Sequence, residues 1–125
     1  MISFEQFVME EGVPVYLQII RHIKRGIAAG AITDGDEMPS RRMLSALLRV
    51  NPNTVQKACR ILEEEGLIVS RSGAKSCIRA DDDKVKAVRS ELLNQDVGNI
   101  VAAMKQMGLS KEKALQLIEQ LWEGV

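Results

Sequence analysis

The chain has 125 residues, 46% hydrophobic and 27% charged but only 3% aromatic, which favours a mainly helical protein of one compact domain or a small domain with an appendage. Its 17 basic and 17 acidic residues give a formal net charge of zero, which by itself argues against nucleic-acid binding. No apolar run approaches the ~20 residues that span a bilayer, and the N-terminus is acidic where a signal peptide would be basic, so we expect a cytoplasmic protein without a membrane partner.

The first 37 residues predict an arm, a helix and a loop. Residues 1–13 are weakly patterned and fit either a short helix or an extended arm, with Ile2, Phe4 and Phe7 packed against the rest. From Pro14 an amphipathic helix is predicted that ends near Gly30, and its apolar row consists of Tyr16, Ile20, Ile23 and Ile27. A loop follows because Gly35 stands between two aspartates.

Two helix-start signals in close succession predict a helix-turn-helix. Ser40 can cap a short helix after Pro39, whose apolar residues Met43, Leu44, Leu47 and Leu48 recur at helical spacing. Asn51 can cap the next helix, and Pro52 suits its first position because the missing N–H would be unsatisfied there anyway. The buried face of this second helix is predicted to be Val55, Ala58, Cys59 and Leu62, and Gly66 ends it.

A hairpin is predicted directly after this pair of helices. Residues 67–69 and 77–78 have strand character, and Ser72, Gly73 and Ala74 form the turn between them. Two short helices followed by such a hairpin, or wing, place the second helix in the major groove of DNA. We therefore expect a winged helix-turn-helix over residues 1–80.

The last 45 residues, 81–125, predict two further helices. The aspartates 81–83 can cap a long helix that ends at Gly108, and Ser110 can cap another. Their apolar rows exceed what a two-helix hairpin buries against itself, so we expect a homodimer formed by this tail. The predicted dimerisation residues are Val88, Leu92, Ile100, Met104, Leu117, Leu121 and Trp122.

The charges are distributed unevenly between these two parts. Residues 38–80 contain eight basic and three acidic residues, whereas residues 81–125 contain six basic and eight acidic residues. This asymmetry is expected if one module faces DNA phosphates and the other faces a partner chain.

The spacing of these motifs resembles the GntR-type bacterial transcription regulators over roughly residues 13–79. The resemblance is carried by Pro14-x-Tyr16-x-Gln18-Ile19, Gly30-x-Ile32 with Gly35, Pro39-Ser40-x-Arg42 with Leu44, Val50-Asn51-x-x-Thr54-Val55-x-x-Ala58 and Leu62-x-x-x-Gly66-Leu67-Ile68. The short tail is similar to the YtrA-like subfamily, which implies dimerisation through the tail and no separate ligand-sensing domain. The chain departs from the family pattern at Cys59, where an aromatic is common, and in the wing at residues 73–77.

The candidate DNA-binding residues lie on the two helices and the wing. Asn53 and Gln56 are candidates for base readout because amide side chains can pair bidentately with adenine, while Thr54 and Lys57 are candidates for phosphate contact. The resemblance implies a DNA contact for Arg42; the alternative is an exposed helix arginine. Asn51 can contact DNA or serve only as a cap, and Arg60 can equally pair with Glu63 or Glu64. The full set is Ser40, Arg41, Arg42, Asn51, Asn53, Thr54, Gln56, Lys57, Arg71, Ser72, Gly73 and Lys75.

The function favoured by these features is a sequence-specific regulator, most simply a repressor, that binds a palindromic operator in double-stranded DNA as a homodimer. The alternative is a winged-helix module that binds protein and not DNA. An enzyme is the weakest reading because no catalytic, cofactor-binding or metal-ligand spacing is present. Cys59 and Cys77 are interpreted as structural thiols, with a redox switch as the minor alternative. The sequence does not identify an effector.

Overall fold

The computed structural model describes residues 1–70 and 75–125, and most of the chain is helical. In chain order the elements are α1 (Val15–Ala29), α2 (Arg41–Leu48), α3 (Pro52–Glu64), β1 (Ile68–Ser70), β2 (Ser76–Ile78), α4 (Asp82–Gln106), α5 (Lys111–Leu121) and a 3-10 turn (Trp122–Gly124). The chain divides into two compact units, Met1–Ser90 and Glu91–Val125, and the division lies within α4. The predicted fold class, a winged helix-turn-helix followed by C-terminal helices, is confirmed.

The core of the first unit lies between α1 and α3. The predicted apolar rows of both helices are confirmed, because residues three and four apart share one helix face and that face is buried. The buried side chains are Ile19, Ile20, Ile23 and Ile27 on α1 and Val55, Ala58, Cys59 and Leu62 on α3. Tyr16, at the start of the α1 row, is only half-buried. Helix α1, which we call the support helix, therefore orients α3, the second helix of the predicted helix-turn-helix.

Helix α2 is less buried than its apolar pattern predicts. Leu44 is fully buried, but Met43 and Leu47 are 45% and 60% exposed, so the helical spacing of these apolar residues marks a helix without all of them being buried. An eight-residue helix that packs on one neighbour buries little more than one row of side chains, and Met43 and Leu47 lie outside that row. Ser45 is buried instead, and its hydroxyl donates to the carbonyl of Val50 at 2.7 Å.

Residues 1–13 form an extended arm rather than a helix. The amide of Ile2 donates to the carbonyl of Glu37 at 2.9 Å, and the Ile2 and Phe4 side chains are buried. The Phe4 ring lies 4.5 Å from the His22 ring, between centroids. The buried Gln18 amide donates to the carbonyl of Val13 at 2.8 Å, which fixes the end of the arm on α1. The extended alternative for this segment is therefore correct.

The base of the wing is attached to the loop that precedes α2. Strands β1 and β2 are antiparallel, with Val69 opposite Cys77. The loop lies along the other edge of β2: the Met38 amide donates to the Ser76 carbonyl at 2.9 Å, and the Ile78 amide donates to the Asp36 carbonyl at 2.8 Å. The turn predicted at residues 72–74 lies outside the described residues.

The second unit contains the end of α4, a turn and α5. Gly108 adopts a left-handed conformation with φ of 79°, which ends the helix, and the Ser110 hydroxyl accepts from the Lys113 amide at 3.2 Å, as the sequence predicts. Between Glu91 and Val125, all of which is described, Leu92 is the one buried residue. The unit therefore exposes most of its apolar side chains. Among the described residues, no helix is both long enough and apolar enough to traverse a lipid bilayer.

Candidate DNA interface

A tight turn sets the start of α3 relative to α2. Arg49 ends α2 with a left-handed φ of 55°, and the Val50 amide donates to the Ser45 carbonyl at 3.1 Å. Together with the Ser45 hydroxyl bond to Val50, this turn is closed by two hydrogen bonds between the same two residues. The N-terminal turns of α3 are consequently held beside α2, which is the arrangement of a helix-turn-helix.

Asn51 caps α3. Its side-chain oxygen accepts from the Asn53 amide at 2.8 Å, its carbonyl accepts from the Thr54 amide at 2.9 Å, and Pro52 occupies the first helical position. The capping role predicted for Asn51 is thus confirmed, while its contact with DNA stays a prediction. Ser40 does the same for α2 by accepting from the Met43 amide at 3.1 Å.

Replacing Asn51 with Ala is expected to lower the free energy of unfolding by about 0.5–2 kcal/mol, because an N-terminal amide of α3 loses its acceptor. Asn51→Ser keeps a capping oxygen and should restore most of the loss. Asn53→Ala is the matched control, since the exposed Asn53 side chain forms no cap. Urea titration of the three variants measures the effect. If Asn51→Ala had the same free energy of unfolding as the natural chain, this cap would contribute little to stability.

An open groove of about 570 Å³ between α2 and α3 brings the predicted DNA-reading residues together. It is lined by Arg41, Arg42, Ser45, Ala46, Pro52, Asn53 and Gln56. The side chains of Arg42, Asn53 and Gln56 are exposed. Within residues 1–70 and 75–125, no protein group is hydrogen-bonded to the side-chain amide of Asn53 or of Gln56. Two amide side chains therefore stand on the exposed surface of α3 with their donors and acceptors available.

The cations around α3 fall into two classes. Arg41 pairs with Glu63 at 2.9 Å, Lys75 with Glu37 at 3.4 Å and Arg60 with Glu64 at 3.9 Å. The Arg60 pair matches the solvated alternative considered for that residue. In the part of the chain that the structure describes, no carboxylate pairs with Arg42, Arg49 or Lys57. These last three cations keep their full charge for phosphate, and sequence reasoning did not single out Arg49 as a candidate.

Glu63 connects α3 to both α2 and the wing. Its Oε1 atom accepts from the Arg41 guanidinium at 2.9 Å and from the Ser70 hydroxyl at 2.6 Å. The Ser70 hydroxyl lies 3.2 Å from that of Ser76 on the neighbouring strand. Arg41 therefore already pairs with a carboxylate of the same chain. This pairing favours a role in holding the two helices and the wing together over a contact with a DNA phosphate. The predicted wing contacts Arg71, Ser72 and Gly73 lie outside the described residues.

Lys57 contacts an aromatic ring that sequence reasoning placed in the core row of α1. Its ammonium nitrogen lies 4.0 Å from the centroid of the Tyr16 ring. The Lys57 side chain is exposed and Tyr16 is half-buried. The residues are 41 positions apart, so only the packing of α1 against α3 reveals the pair.

Both cysteines are free, and Cys59 is buried in the core of the first unit. Burial raises the pKa of the Cys59 thiol, an effect that the nearby Arg41 guanidinium partly offsets. A raised pKa keeps this thiol neutral at physiological pH and therefore poorly nucleophilic. The structural interpretation of Cys59 is favoured over a redox switch.

The predicted dimerisation residues differ in how much surface they expose. Val88 and Leu92 are 5% and 7% exposed, so they have little surface left for a partner. An open apolar groove in the second unit is lined by Ile100, Met104, Ile118, Leu121, Trp122 and Val125. Leu117 is exposed as well.

Comparison with known proteins identifies the family. A family model described as bacterial regulatory proteins, gntR family, matches residues 15–76. The chain is 32% identical over 111 residues to the uncharacterized HTH-type transcriptional regulator YhcF of Bacillus subtilis, covering 89% of this chain and 92% of that protein. It is 30% identical over 110 residues to the HTH-type transcriptional repressor YtrA of the same organism, covering 86% of this chain and 84% of that protein. The chain belongs to the GntR family.

Two solved structures that are similar to this chain share its fold. A GntR-family transcriptional regulator from Listeria monocytogenes is 28% identical, with a TM-score of 0.81 over 90% of this chain and 98% of that chain. The DNA-binding domain of AraR, solved in complex with operator ORX1, is 26% identical, with a TM-score of 0.51 over 58% of this chain and 87% of that chain. This GntR-family protein is a DNA-binding transcription regulator, and its relatives are named as regulators rather than enzymes.

Proposed function

We propose that this GntR-family regulator is a cytoplasmic homodimer that binds an inverted-repeat operator and represses transcription there. Residues 1–80 form the DNA-binding module in this proposal, and residues 81–125 form the dimerisation tail. The observation that carries it is the surface of α3. Two side-chain amides without hydrogen-bond partners and cations without carboxylate partners, among the residues that the structure describes, occur together there. Amides provide base readout and cations provide phosphate contact, which are the two components of specific DNA binding.

The assignment of roles follows from what each side chain is already bonded to. Asn53 and Gln56 are proposed to read base edges, while Arg42, Arg49 and Lys57 contact phosphates. Asn51 and Ser40 act chiefly as caps that fix the helices. The AraR domain, which is similar in fold and was solved in complex with an operator, supports DNA binding by a module of this fold. The name of the Bacillus subtilis repressor YtrA supports repression.

The exposed apolar surface of the second unit supports the dimer. None of the residues Lys111–Leu121 is buried, and Leu121 and Trp122 are 54% and 74% exposed. Soluble monomers seldom leave contiguous apolar patches beyond a few hundred Å² in water, so a second copy of the chain is the proposed cover. A two-fold dimer sets two α3 helices on two half-sites whose centres are about 10 base pairs, or a multiple of that, apart.

The proposed base readout is tested by Gln56→Ala. The variant should lose about 1–3 kcal/mol of binding free energy on the operator and little on a random duplex, because only the operator offers the matching base edge. Gln6→Ala is the control, since Gln6 is also an exposed amide side chain and lies on the N-terminal arm. Titration of both duplexes at one stated salt concentration measures the difference. Equal losses on the two duplexes would remove Gln56 from the reading surface.

Arg42→Ala is expected to weaken binding to operator and random DNA about equally, and to reduce the magnitude of the negative slope of log K against log salt by about 0.9 units. Lys75→Ala should have a smaller effect because Lys75 already pairs with Glu37. Arg21→Ala is the control, since Arg21 is exposed on α1 and lines a hollow beside the N-terminal arm. A salt series with each variant decides the point. An unchanged slope for Arg42→Ala would place Arg42 outside the interface.

A further inference from the structure

The contact between Lys57 and Tyr16 differs from the contacts of the other cations held near α3. Arg41, Arg60 and Lys75 are each held by a carboxylate, which cancels much of the field that a phosphate would feel. Lys57 lies over a neutral ring, with its ammonium 4.0 Å from the ring centroid. Such a contact attracts the cation through the ring quadrupole and leaves its charge intact. Lys57 is therefore held in place and still fully available to an anion.

The Lys57 and Tyr16 pair lies beside the surface of α3 that is proposed to face DNA. At about 100° per residue, Asn53 lies between the other two around α3, with Gln56 about 60° to one side and Lys57 about 40° to the other, so Gln56 and Lys57 are about 100° apart. Gln56 and Asn53 line the groove on the α2 side. Lys57 lies on the α1 side, where the Tyr16 ring reaches it from the first turn of α1. The exposed surface of α3 thus carries the two candidate base-reading amides, Asn53 and Gln56, on the side towards α2. It carries the Lys57 ammonium, held by the Tyr16 ring, on the side towards α1.

The energetic reason for such a device is the flexibility of lysine. An exposed lysine side chain loses rotamer entropy when it is fixed in one geometry. A ring that restricts the side chain before DNA arrives lowers the entropy lost on binding. Tyr16 suits this task because the support helix α1, through its buried row, fixes the position of the tyrosine backbone.

We propose that Tyr16 is a positioning residue for DNA binding, whose ring holds the Lys57 ammonium at the α1 edge of α3, oriented towards a backbone phosphate. The proposal rests on the proposed function, because it requires α3 to face DNA. It assigns the effect to the ring of Tyr16 and not to its hydroxyl. It also assigns the phosphate contact to Lys57 and not to Tyr16.

The experiment is a double-mutant cycle in the full-length chain, with affinities for operator and random duplex measured over a salt series. Tyr16→Leu removes the ring, Tyr16→Phe keeps it without the hydroxyl, and Lys57→Met removes the charge at nearly constant length. We expect Tyr16→Leu to weaken binding to both duplexes by about two- to fivefold, and Tyr16→Phe to bind as the natural chain does. Lys57→Met should reduce the magnitude of the salt slope by about 0.9 units, and adding Tyr16→Leu to Lys57→Met should then have no further effect.

Three outcomes would overturn the proposal. Tyr16→Phe could lose as much affinity as Tyr16→Leu, which would make the hydroxyl the contact. The Tyr16→Leu loss could persist in full beside Lys57→Met, which would show that Tyr16 acts through another group or through the fold. Lys57→Met could leave affinity and slope unchanged, which would remove Lys57 from the interface. Thermal unfolding of each variant identifies losses that come from the fold alone.

A measurement without DNA separates this proposal from the proposed function. The ring should shift the NMR signals of the Lys57 ε-methylene protons upfield, and this shift should vanish in Tyr16→Leu and remain in Tyr16→Phe. An absent shift in the natural chain overturns the pairing. Equal affinity for operator and random duplex would sink the sequence-specific function, yet the cycle on random DNA would still decide the role of Tyr16. If the full-length chain bound neither duplex, both the proposed function and the proposed role of Tyr16 would be overturned.

Discussion

Leu121→Asp will produce a monomer whose affinity for its operator falls towards its affinity for random DNA. Leu121 is 54% exposed and lines the apolar groove of the second unit with Ile100, Ile118 and Trp122. A carboxylate there would have to be buried unpaired in the proposed dimer, which costs several kcal/mol. A monomer engages one half-site at a time, so roughly a thousandfold or more of the operator preference should be lost. Sedimentation measures the mass, and operator titration measures the preference.

Gln116→Asp is the matched control for this prediction. It places the same charge on the same helix, about 140° away from Leu121, on an exposed position. We expect the control to remain dimeric and to bind the operator normally. A dimeric Leu121→Asp variant, or a monomer with full operator preference, would contradict the proposed role of the tail. Equal disruption by both variants would point to repulsion of charge in general and not to the apolar groove.

Leu62→Ala will lower the free energy of unfolding by about 2–5 kcal/mol, because a fully buried side chain of α3 is replaced by a cavity. For a domain of this size, with total stability of about 5–15 kcal/mol, this is a large fraction. The effect bears on function because Leu62 belongs to the buried row of α3 in the core it shares with α1. Chemical denaturation, followed by circular dichroism, measures the loss.

Ile61→Ala provides the comparison from the adjacent residue. Ile61 is half-buried, so its truncation removes less contact and should cost clearly less than that of Leu62. If the two variants lost equal stability, the buried row of α3 would be misassigned. A loss below about 1 kcal/mol for Leu62→Ala would mean that the site collapses without leaving a cavity.

The features predictable from the sequence were those set by nearby residues. The caps at Ser40, Asn51 and Ser110 depend on a side chain and an amide two or three positions later, so short motifs reveal them. The buried rows of α1 and α3 follow from helical periodicity, which one strong apolar stripe makes unambiguous. These local signals were sufficient to locate α3 and the two side-chain amides, Asn53 and Gln56, that are candidates for base readout.

The features that escaped prediction depend on which neighbour an element meets. Helix α2 carries two apolar rows, and only packing decides that Leu44 is buried while Leu47 is exposed. The Glu63 bonds to Arg41 and Ser70 and the ring contact of Lys57 join separate elements. Charge counting therefore overestimated the cations free for DNA, because three of them already have carboxylate partners. The tail was predicted as apolar, but not that Val88 and Leu92 are already covered within one chain.

Selection of duplexes from a random pool by the full-length protein tests the central claim most directly. The account predicts enrichment of an inverted repeat whose half-site centres are about 10 base pairs, or a multiple of that, apart. Two chains should bind each selected duplex, and Gln56→Ala should lose the preference at one position in each half-site. If no sequence were enriched, or if a single unrepeated site were bound by one chain, the result would contradict the proposed dimer. In that dimer the tail joins two chains and each α3 helix binds one half-site.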